Sequence, residues 1–279
     1  MPRALEAAGS RSHATYGRLI HCARMEFAHL PTGRTPVHSH DAVALFVRRI
    51  QLRSVVSAEE VEAMQQLGGR RVHASRGQDL VLPGHGVNHA ILLVDGLLAR
   101  FDQMADGKRQ ITALHIPGDM ADLHSVPMPL PAWGIQALVP SVVLHIPHGD
   151  LRRLADSRPA IARAFWRDTV TDASILAKWT ANLGRADAVT RTAHLICEMG
   201  MRMEAHGLDA RDDFALPITQ AQMADALGLT TVHVNRTVSA LRQECGLLFE
   251  QGRVRVENWD ALAGRGSFDP GYLMLDVRV

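Results

Sequence analysis

The period of the apolar positions changes along the chain, and each change predicts a different element. Over Ala58 to Leu67, Val61, Met64 and Leu67 recur at helical spacing behind Ser57, which predicts a short helix with a serine cap. From Arg71 to about Leu144 the pattern becomes short β-like runs: AILLV (90–94), LLARF (97–101), ITALHI (111–116) and VVLHI (142–146). Turn pairs separate them, at Arg76-Gly77, Pro83-Gly84, Asp95-Gly96, Asp106-Gly107, Pro117-Gly118-Asp119 and Val139-Pro140. Short runs at that turn spacing predict an antiparallel roll or barrel. Between Pro159 and Gly184 there is neither Gly nor Pro, which allows a helix of more than six turns over 158–185. At about 100° per residue, Ile161, Phe165, Ala173, Leu176 and Leu183 fall within an arc of roughly 120°, with Arg163, Arg167 and Lys178 mostly elsewhere. Such a stripe either buries itself in its own chain or pairs with its twin, and these five residues are the candidate dimer face.

Helical periodicity continues in Ala193, Leu195, Ile196, Met199 and Met203, and then comes ITQAQMADALGLTTVHVNRTVSALR (218–242). Thr219 can cap a first helix ending at Leu227, Gly228 supplies a turn, and Thr230 can cap a second helix to about Arg242. Val234, Val238 and Leu241 share one narrow face and turn inward, leaving Val232, His233, Asn235, Arg236, Ser239 and Ala240 outward. Glycine turn, paired caps and slim outer face together describe a helix-turn-helix whose second helix, 231–242, can enter a major groove about 12 Å wide. Gln251-Gly252 between two alternating apolar runs predicts a hairpin, with Arg253 and Arg255 on one strand face as a wing against phosphates. The residues expected at DNA are Thr219, Gln220, Thr230, Thr231, Val232, His233, Asn235, Arg236, Ser239, Arg253 and Arg255. The fold class is therefore α+β. The expected parts are an N-terminal arm (1–40), a β-roll (41–157), a long helix (158–185), a winged helix-turn-helix (186–262) and a tail (263–279).

Composition narrows the partners. The chain has 279 residues, 47% hydrophobic and 21% charged, enough for two ordinary domains. No run approaches the roughly 18 apolar residues of a membrane span, and the start lacks the basic-then-apolar order of a secretion signal, so a cytoplasmic protein with no membrane partner is expected. Net charge is +1, so nucleic-acid binding must come from a local patch; between Leu227 and Arg255 four arginines face two glutamates. So modest a patch predicts weak monomeric affinity, which a dimer presenting two recognition helices about 34 Å apart would overcome.

In this order, roll, long helix and winged helix-turn-helix, the chain resembles the Crp/Fnr superfamily of bacterial transcription regulators over roughly residues 45–262. The residues that carry the resemblance are LVDGLLAR (93–100) and LHIPGD (114–119) in the roll, and LGLTTVHVNRTV (227–238) in the helix-turn-helix. It implies a cyclic-nucleotide-binding-like roll as sensor, the long helix as dimer interface, a palindromic promoter site and RNA polymerase as a further partner. It implies no catalytic residues. Two departures matter. Members reading the best-known family operator begin the recognition helix with an Arg-Glu pair, where this chain has Thr231 and Val232; only Arg236 matches a reading position.

Cyclic-nucleotide members place a Gly-Glu pair after the Gly-Asp turn and an arginine further on. Here Gly118-Asp119 is followed by Met-Ala-Asp-Leu-His124, and no Lys or Arg occurs between Arg109 and Arg152. A buried phosphate would lack its cation, so cyclic AMP is not the expected effector. An iron-sulfur cluster lacks its thiolates, since only Cys22, Cys197 and Cys245 are present. The apolar segment Val126-Pro-Met-Pro-Leu-Pro-Ala-Trp133 stands in place of the phosphate cassette and reads as an apolar effector pocket or as no pocket. The cofactor stays open.

Fifteen histidines, including His38, His40, His73, His85, His89, His115, His124, His145 and His148, allow a haem or metal sensor, but unassembled histidines on β-loops are more often surface or hydrogen-bonded groups. A cupin-like metal enzyme starting from His38-x-His40 leaves the winged helix unexplained. A constitutive architectural DNA binder differs from a sensor only in lacking ligand dependence.

Overall fold

The computed structural model of the chain describes residues 39–275. Most of the arm, including Cys22 and His38, and residues 276–279 lie outside the described residues. The first described element, α1 (Ser39–Arg53), crosses the expected boundary between arm and roll. Its inward positions Ala42, Val43, Phe46, Val47 and Ile50 are buried, but so are Arg49 and Arg53 on the same face. Two arginines inside the apolar stripe break the period that would otherwise announce a helix. The second helix, α2 (Ala58–Gln65), begins on a capping box: Ser57 Oγ accepts from Glu60 N at 3.2 Å and Ser57 N donates to the Glu60 carboxylate at 2.7 Å.

The roll contains β1 (Arg70–Ala74), β2 (Asp79–Val81), β3 (His89–Asp95), β4 (Leu98–Gln103), β5 (Arg109–His115), β6 (Gly134–Ala137) and β7 (Ser141–Pro147). All neighbours are antiparallel, in two sheets ordered β1-β7-β3 and β2-β6-β4-β5. Side chains alternate across a strand, and β3 is covered on both faces. Ala90, Leu92 and Val94 pack with α1 and the helices after the roll, while Ile91 and Leu93 fill the roll interior. That double burial is why AILLV reads as an unbroken apolar run. At the Gly-Asp turn, Gly118 has φ +90°, and a Cβ there would sit 2.7 Å from Leu45 of α1. The turn therefore needs glycine for its backbone and for the approach of the helix.

After β7 come α3 (His148–Ser157) and the long helix α4 (Pro159–Arg185). The buried face of α4 is Ile161, Ala164, Phe165, Asp168, Thr171, Ile175 and Trp179. This corrects the expected dimer face. Ile161 and Phe165 belong to the chain's own core with α1 and β3, and Leu183 packs on the helix-turn-helix, 3.1 Å from where a Cβ on Gly228 would stand. Leu176 is half-buried and Ala173 exposed. The arc overlaps one edge of the buried face, at Ile161 and Phe165, and runs round only as far as Ala173 on the exposed side.

The C-terminal half holds α5 (Ala188–His206), β8 (Asp213–Ala215), α6 (Gln220–Leu227), α7 (Thr231–Cys245), β9 (Leu247–Glu250), β10 (Arg253–Val256) and α8 (Trp259–Arg265). The last helix passes the expected domain end at 262, and a 3-10 turn, Pro270–Leu273, carries the tail back onto α4 and α5. Leu273 is fully buried in the C-terminal core. No helix among the described residues is long and apolar enough to cross a membrane.

A buried ionic network joins the two halves. Asp119, fully enclosed, pairs with Arg49 of α1 and with Arg202 of α5, the latter at 2.6 Å, and also accepts from Ile116 N at 3.0 Å. Asp168 of α4 pairs with Arg49 at 2.8 Å and stands 3.9 Å from Arg53, whose Nε donates to the Leu273 carbonyl at 3.1 Å. Glu198 of α5 takes hydrogen bonds from Trp179 and Tyr272, each 2.8 Å, and lies 3.4 Å from Arg202. The two arginines hold the Asp119 carboxyl far below the usual carboxylate range against the opposing effect of burial.

Candidate nucleic-acid interface

Local sequence rules build the helix pair. Thr219 and Gln222 form a capping box at the start of α6, and Gly228, in the left-handed region at φ +60°, ends it. Thr230 caps α7 through His233 N at 3.3 Å and also bonds the His233 ring at 3.1 Å, which fixes that imidazole at the helix start. On α7, Val234 and Leu241 are fully buried and Thr237 nearly so, with its hydroxyl 3.0 Å from that of Thr192 on α5. Val238 is half-buried against the same core. Thr231, Val232, His233, Asn235, Arg236 and Ser239 face solvent; Val232 is 58% exposed, high for a valine on a packed helix. Ala240, expected outward, is half-buried. Thr219, Gln220 and Thr230 are exposed at the two helix starts.

The hairpin turns at Gln251-Gly252, both with positive φ, and pairs Arg253 with Glu250. Its arginines are less available than the sequence implied. Arg253 pairs with Asp213 of β8, Arg255 Nε lies 3.4 Å from the same carboxylate, and Arg242 pairs with Glu250 at 3.1 Å. Arg236 forms no ion pair with any described residue, so the reading face carries one uncommitted cation. The acid responsible, Asp213, lies outside the stretch over which the local charge excess was counted.

The helix pair leans on the roll. Gln110 of β5 donates to the carbonyls of Asp225 at 2.6 Å and Ala226 at 3.3 Å, satisfying backbone groups that the end of α6 leaves open. Gln222 donates to the Leu138 carbonyl at 3.3 Å. Sequence reasoning missed both glutamines, because nothing local marks a partner more than eighty residues away.

In the roll, the segment 126–133 does not enclose an apolar pocket of its own side chains: Met128 and Leu130 are 65% and 58% exposed. Its backbone pairs with the loop before β3, through Gly84 N to Pro131 O and Val87 N to Pro129 O. A cation is nevertheless present nearby. Arg100 of β4, 3% exposed, pairs with Asp172 of α4 and has its guanidinium 5.3 Å from the Trp133 ring centre. Its signal in the sequence was an arginine interrupting the apolar run LLARF.

A cyclic-nucleotide-type roll joined through a long helix to a winged helix-turn-helix defines a DNA-binding transcription regulator. Residues 71–158 match the cyclic nucleotide-binding domain, and residues 190–265 match the Crp-like helix-turn-helix domain. The anaerobic regulatory protein of Haemophilus influenzae is 24% identical over 225 residues, 80% of this chain and 85% of that protein. The fumarate and nitrate reduction regulatory protein of Escherichia coli is 23% identical over 84% of this chain and 92% of its own length. Among solved structures, FixK2 from Bradyrhizobium japonicum superposes with a TM-score of 0.66 at 25% identity, covering 73% of this chain and all of that one. The chain belongs to the Crp/Fnr superfamily.

Proposed function

We propose that the chain is a homodimeric, sequence-specific regulator that lays α7 in the major groove of a palindromic promoter site. The observation that supports this most is the outer face of α7, where Val232, His233, Asn235, Arg236 and Ser239 stand exposed with Arg236 uncommitted. An arginine so placed can bond guanine O6 and N7 together, and Val232 can meet a thymine methyl. The site of action is then the bacterial cytoplasm, with RNA polymerase as the neighbouring partner at the promoter.

Arg236→Ala is expected to lose about 1–3 kcal/mol of discrimination between the chosen site and a single-base variant. Sites selected from random DNA and re-measured by fluorescence anisotropy read this out, and an equal loss on every sequence would remove Arg236 from base reading. Arg253→Ala is expected to weaken all sequences alike and to change the log–log salt slope by less than about one unit, since Asp213 already engages that guanidinium. A sequence-dependent loss in the same titrations would place Arg253 at a base edge instead.

The dimer face we assign is the outer stripe of α4: Arg163, Trp166, Val170, Ala173, Ala177, Thr180 and Gly184, all exposed and alternately three and four residues apart. That is the spacing of a two-helix seam. Trp166 and Val170 are 69% and 55% exposed, an unusual cost for large apolar groups on a helix whose opposite side is already buried. Val170→Glu is expected to give a folded monomer in sedimentation velocity with at least about a tenfold weaker hold on palindromic DNA. An unchanged dimer places the interface elsewhere.

The effector we infer is neither cyclic AMP nor an iron-sulfur cluster. Pro127, Pro129 and Pro131 have no N–H to offer a phosphate, and the Met128 N–H is spent on the His124 carbonyl. Cys197 and Cys245 are buried in the C-terminal half, and with Cys22 the chain has three thiols, short of a four-thiolate set.

A further inference from the structure

Four buried nitrogens that lack a hydrogen-bond partner among the described residues belong to one neighbourhood, where β4, β5, the turn Leu123–Ser125 and the start of β6 meet α4. They are Arg100 Nη2, His115 Nε2, His124 Nε2 and Trp133 Nε1. The Arg100 guanidinium stands 5.3 Å from the Trp133 ring centre, and that ring is 4.9 Å from the His124 ring. The other Arg100 terminal nitrogen, Nη1, holds Asp172 of α4. His115 of β5 stands opposite Leu98 of β4, and Arg100, two residues on from Leu98, shares that sheet face, which brings the ring to the same niche. So many unpaired polar atoms in one place are costly, and native structures rarely leave them without a purpose.

We propose that this niche receives a small carboxylate. Arg100 is its cation, and Trp133 Nε1 and His124 Nε2 are its flanking donors. Asp172 is the carboxylate that occupies the arginine when no ligand is bound. The fork of a guanidinium matches a planar carboxylate with two parallel bonds, and Asp172 uses one terminal nitrogen and leaves the other idle. Burial keeps His115 near pKa 3 and His124 near 4, so at neutral pH both rings lend hydrogen-bonding capacity without charge. One cation and neutral donors suit a single negative charge, whereas a doubly charged phosphate monoester would remain half compensated.

An arriving carboxylate displaces Asp172 from Arg100 and so releases one of the links between β4 and α4. Its regulatory consequence rests on reading the roll as the sensing half; the binding itself does not.

Thermal unfolding of the full chain tests the site, titrated with potassium acetate and potassium benzoate against potassium chloride at equal ionic strength. Asp172→Asn leaves Arg100 without its counter-charge, so its melting temperature is expected to fall and acetate to restore it, with an apparent affinity at least about tenfold tighter than that of wild type. Trp133→Phe removes one donor and keeps the ring, and is expected to weaken acetate about tenfold. Should Asp172→Asn fail to fold, wild type against Trp133→Phe decides on its own. Response to benzoate as well as acetate places room for a larger body beside the carboxylate, and response to acetate alone restricts the ligand to the smallest acids; either supports the site. The proposal is overturned if carboxylates act no better than chloride, if Trp133→Phe responds as wild type does, or if cyclic AMP stabilises more than either acid. None of these readouts involves DNA, so failure here leaves the operator-binding assignment intact, and failure of operator binding leaves this site intact.

Discussion

Asp119→Ala is expected to lower the free energy of unfolding by about 3–5 kcal/mol, measured by urea titration at neutral pH. The size follows from what the substitution strands. Asp119 has no solvent exposure, and its two oxygens meet Arg49, Arg202 and the Ile116 N–H. Arg49 keeps Asp168, and Arg202 keeps Glu198 at 3.4 Å, but each loses its nearest counter-charge. Both guanidiniums are about 5% exposed, too enclosed for water to take over. Breaking a buried ion group on one side removes the attraction and leaves the desolvation cost of the other side uncancelled. The loss should appear in both halves at once, because Arg49 belongs to the helix on the roll and Arg202 to α5 beneath the helix-turn-helix. A loss below about 1 kcal/mol, the range of a surface pair, would show that the network adds nothing to folding.

Acidification is expected to act on the same junction. His115 and His206 each stand 3.9 Å from Asp119, yet both are held near pKa 3. Burial is the main cause and overrides the attraction of Asp119 and, at His115, of Asp172; Arg100 and Arg202 beside His115, and Arg49, Arg202 and Arg53 beside His206, add repulsion in the same direction as burial. The sign follows from linkage. Between pH 3 and the ordinary histidine value near 6.5, the unfolded chain binds these protons and the folded chain does not, so stability rises with pH there and levels off above it. Each ring contributes a slope of up to about 1.4 kcal/mol per pH unit, reached only below the unfolded value, so both together remove about 3 kcal/mol from pH 6.5 to 5.

Asp122, raised by burial to about 6, runs the other way and returns about 1 kcal/mol in that interval. Asp168 and Glu198 are also raised by burial and act in the same sense as Asp122. His206→Gln isolates one ring: between pH 6.5 and 5 it should lose about 1.5 kcal/mol less than wild type in parallel denaturant titrations. Equal losses in the two proteins would mean that His206 carries the same charge folded and unfolded.

The helix-turn-helix was legible because its determinants are local. Thr219, Gly228 and Thr230 are each read within a few residues, and they occupy the cap and turn positions assigned to them. The roll was legible for a similar reason, its turn pairs lying at regular spacing. What could not be read depends on partners distant in sequence. Helix α1 hid behind Arg49 and Arg53, which break its apolar stripe and make sense only once Asp119, Asp168 and the Leu273 carbonyl are known to meet them. Asp119 itself read as a turn residue after Gly118.

The face of α4 was misjudged because the expected arc follows the edge of the side that α1 and β3 cover, and periodicity cannot say which apolar side belongs to the chain's own core. The wing looked basic because its acid, Asp213, comes from a strand forty residues earlier. Arg100 was visible, but a lone arginine in a β run has no local rule to interpret it.

The closure of Arg53 on Leu273 sets an order for biogenesis. During synthesis domains usually fold from the N-terminus as they leave the ribosome. Here the first described helix waits for the last described turn, 220 residues later, to complete its hydrogen bonding. A nascent roll therefore emerges with Arg49 and Arg53 still short of Arg202's neighbourhood and the tail. A chain cut short by premature termination anywhere before residue 273 would present the same unfinished helix to the cell's quality control.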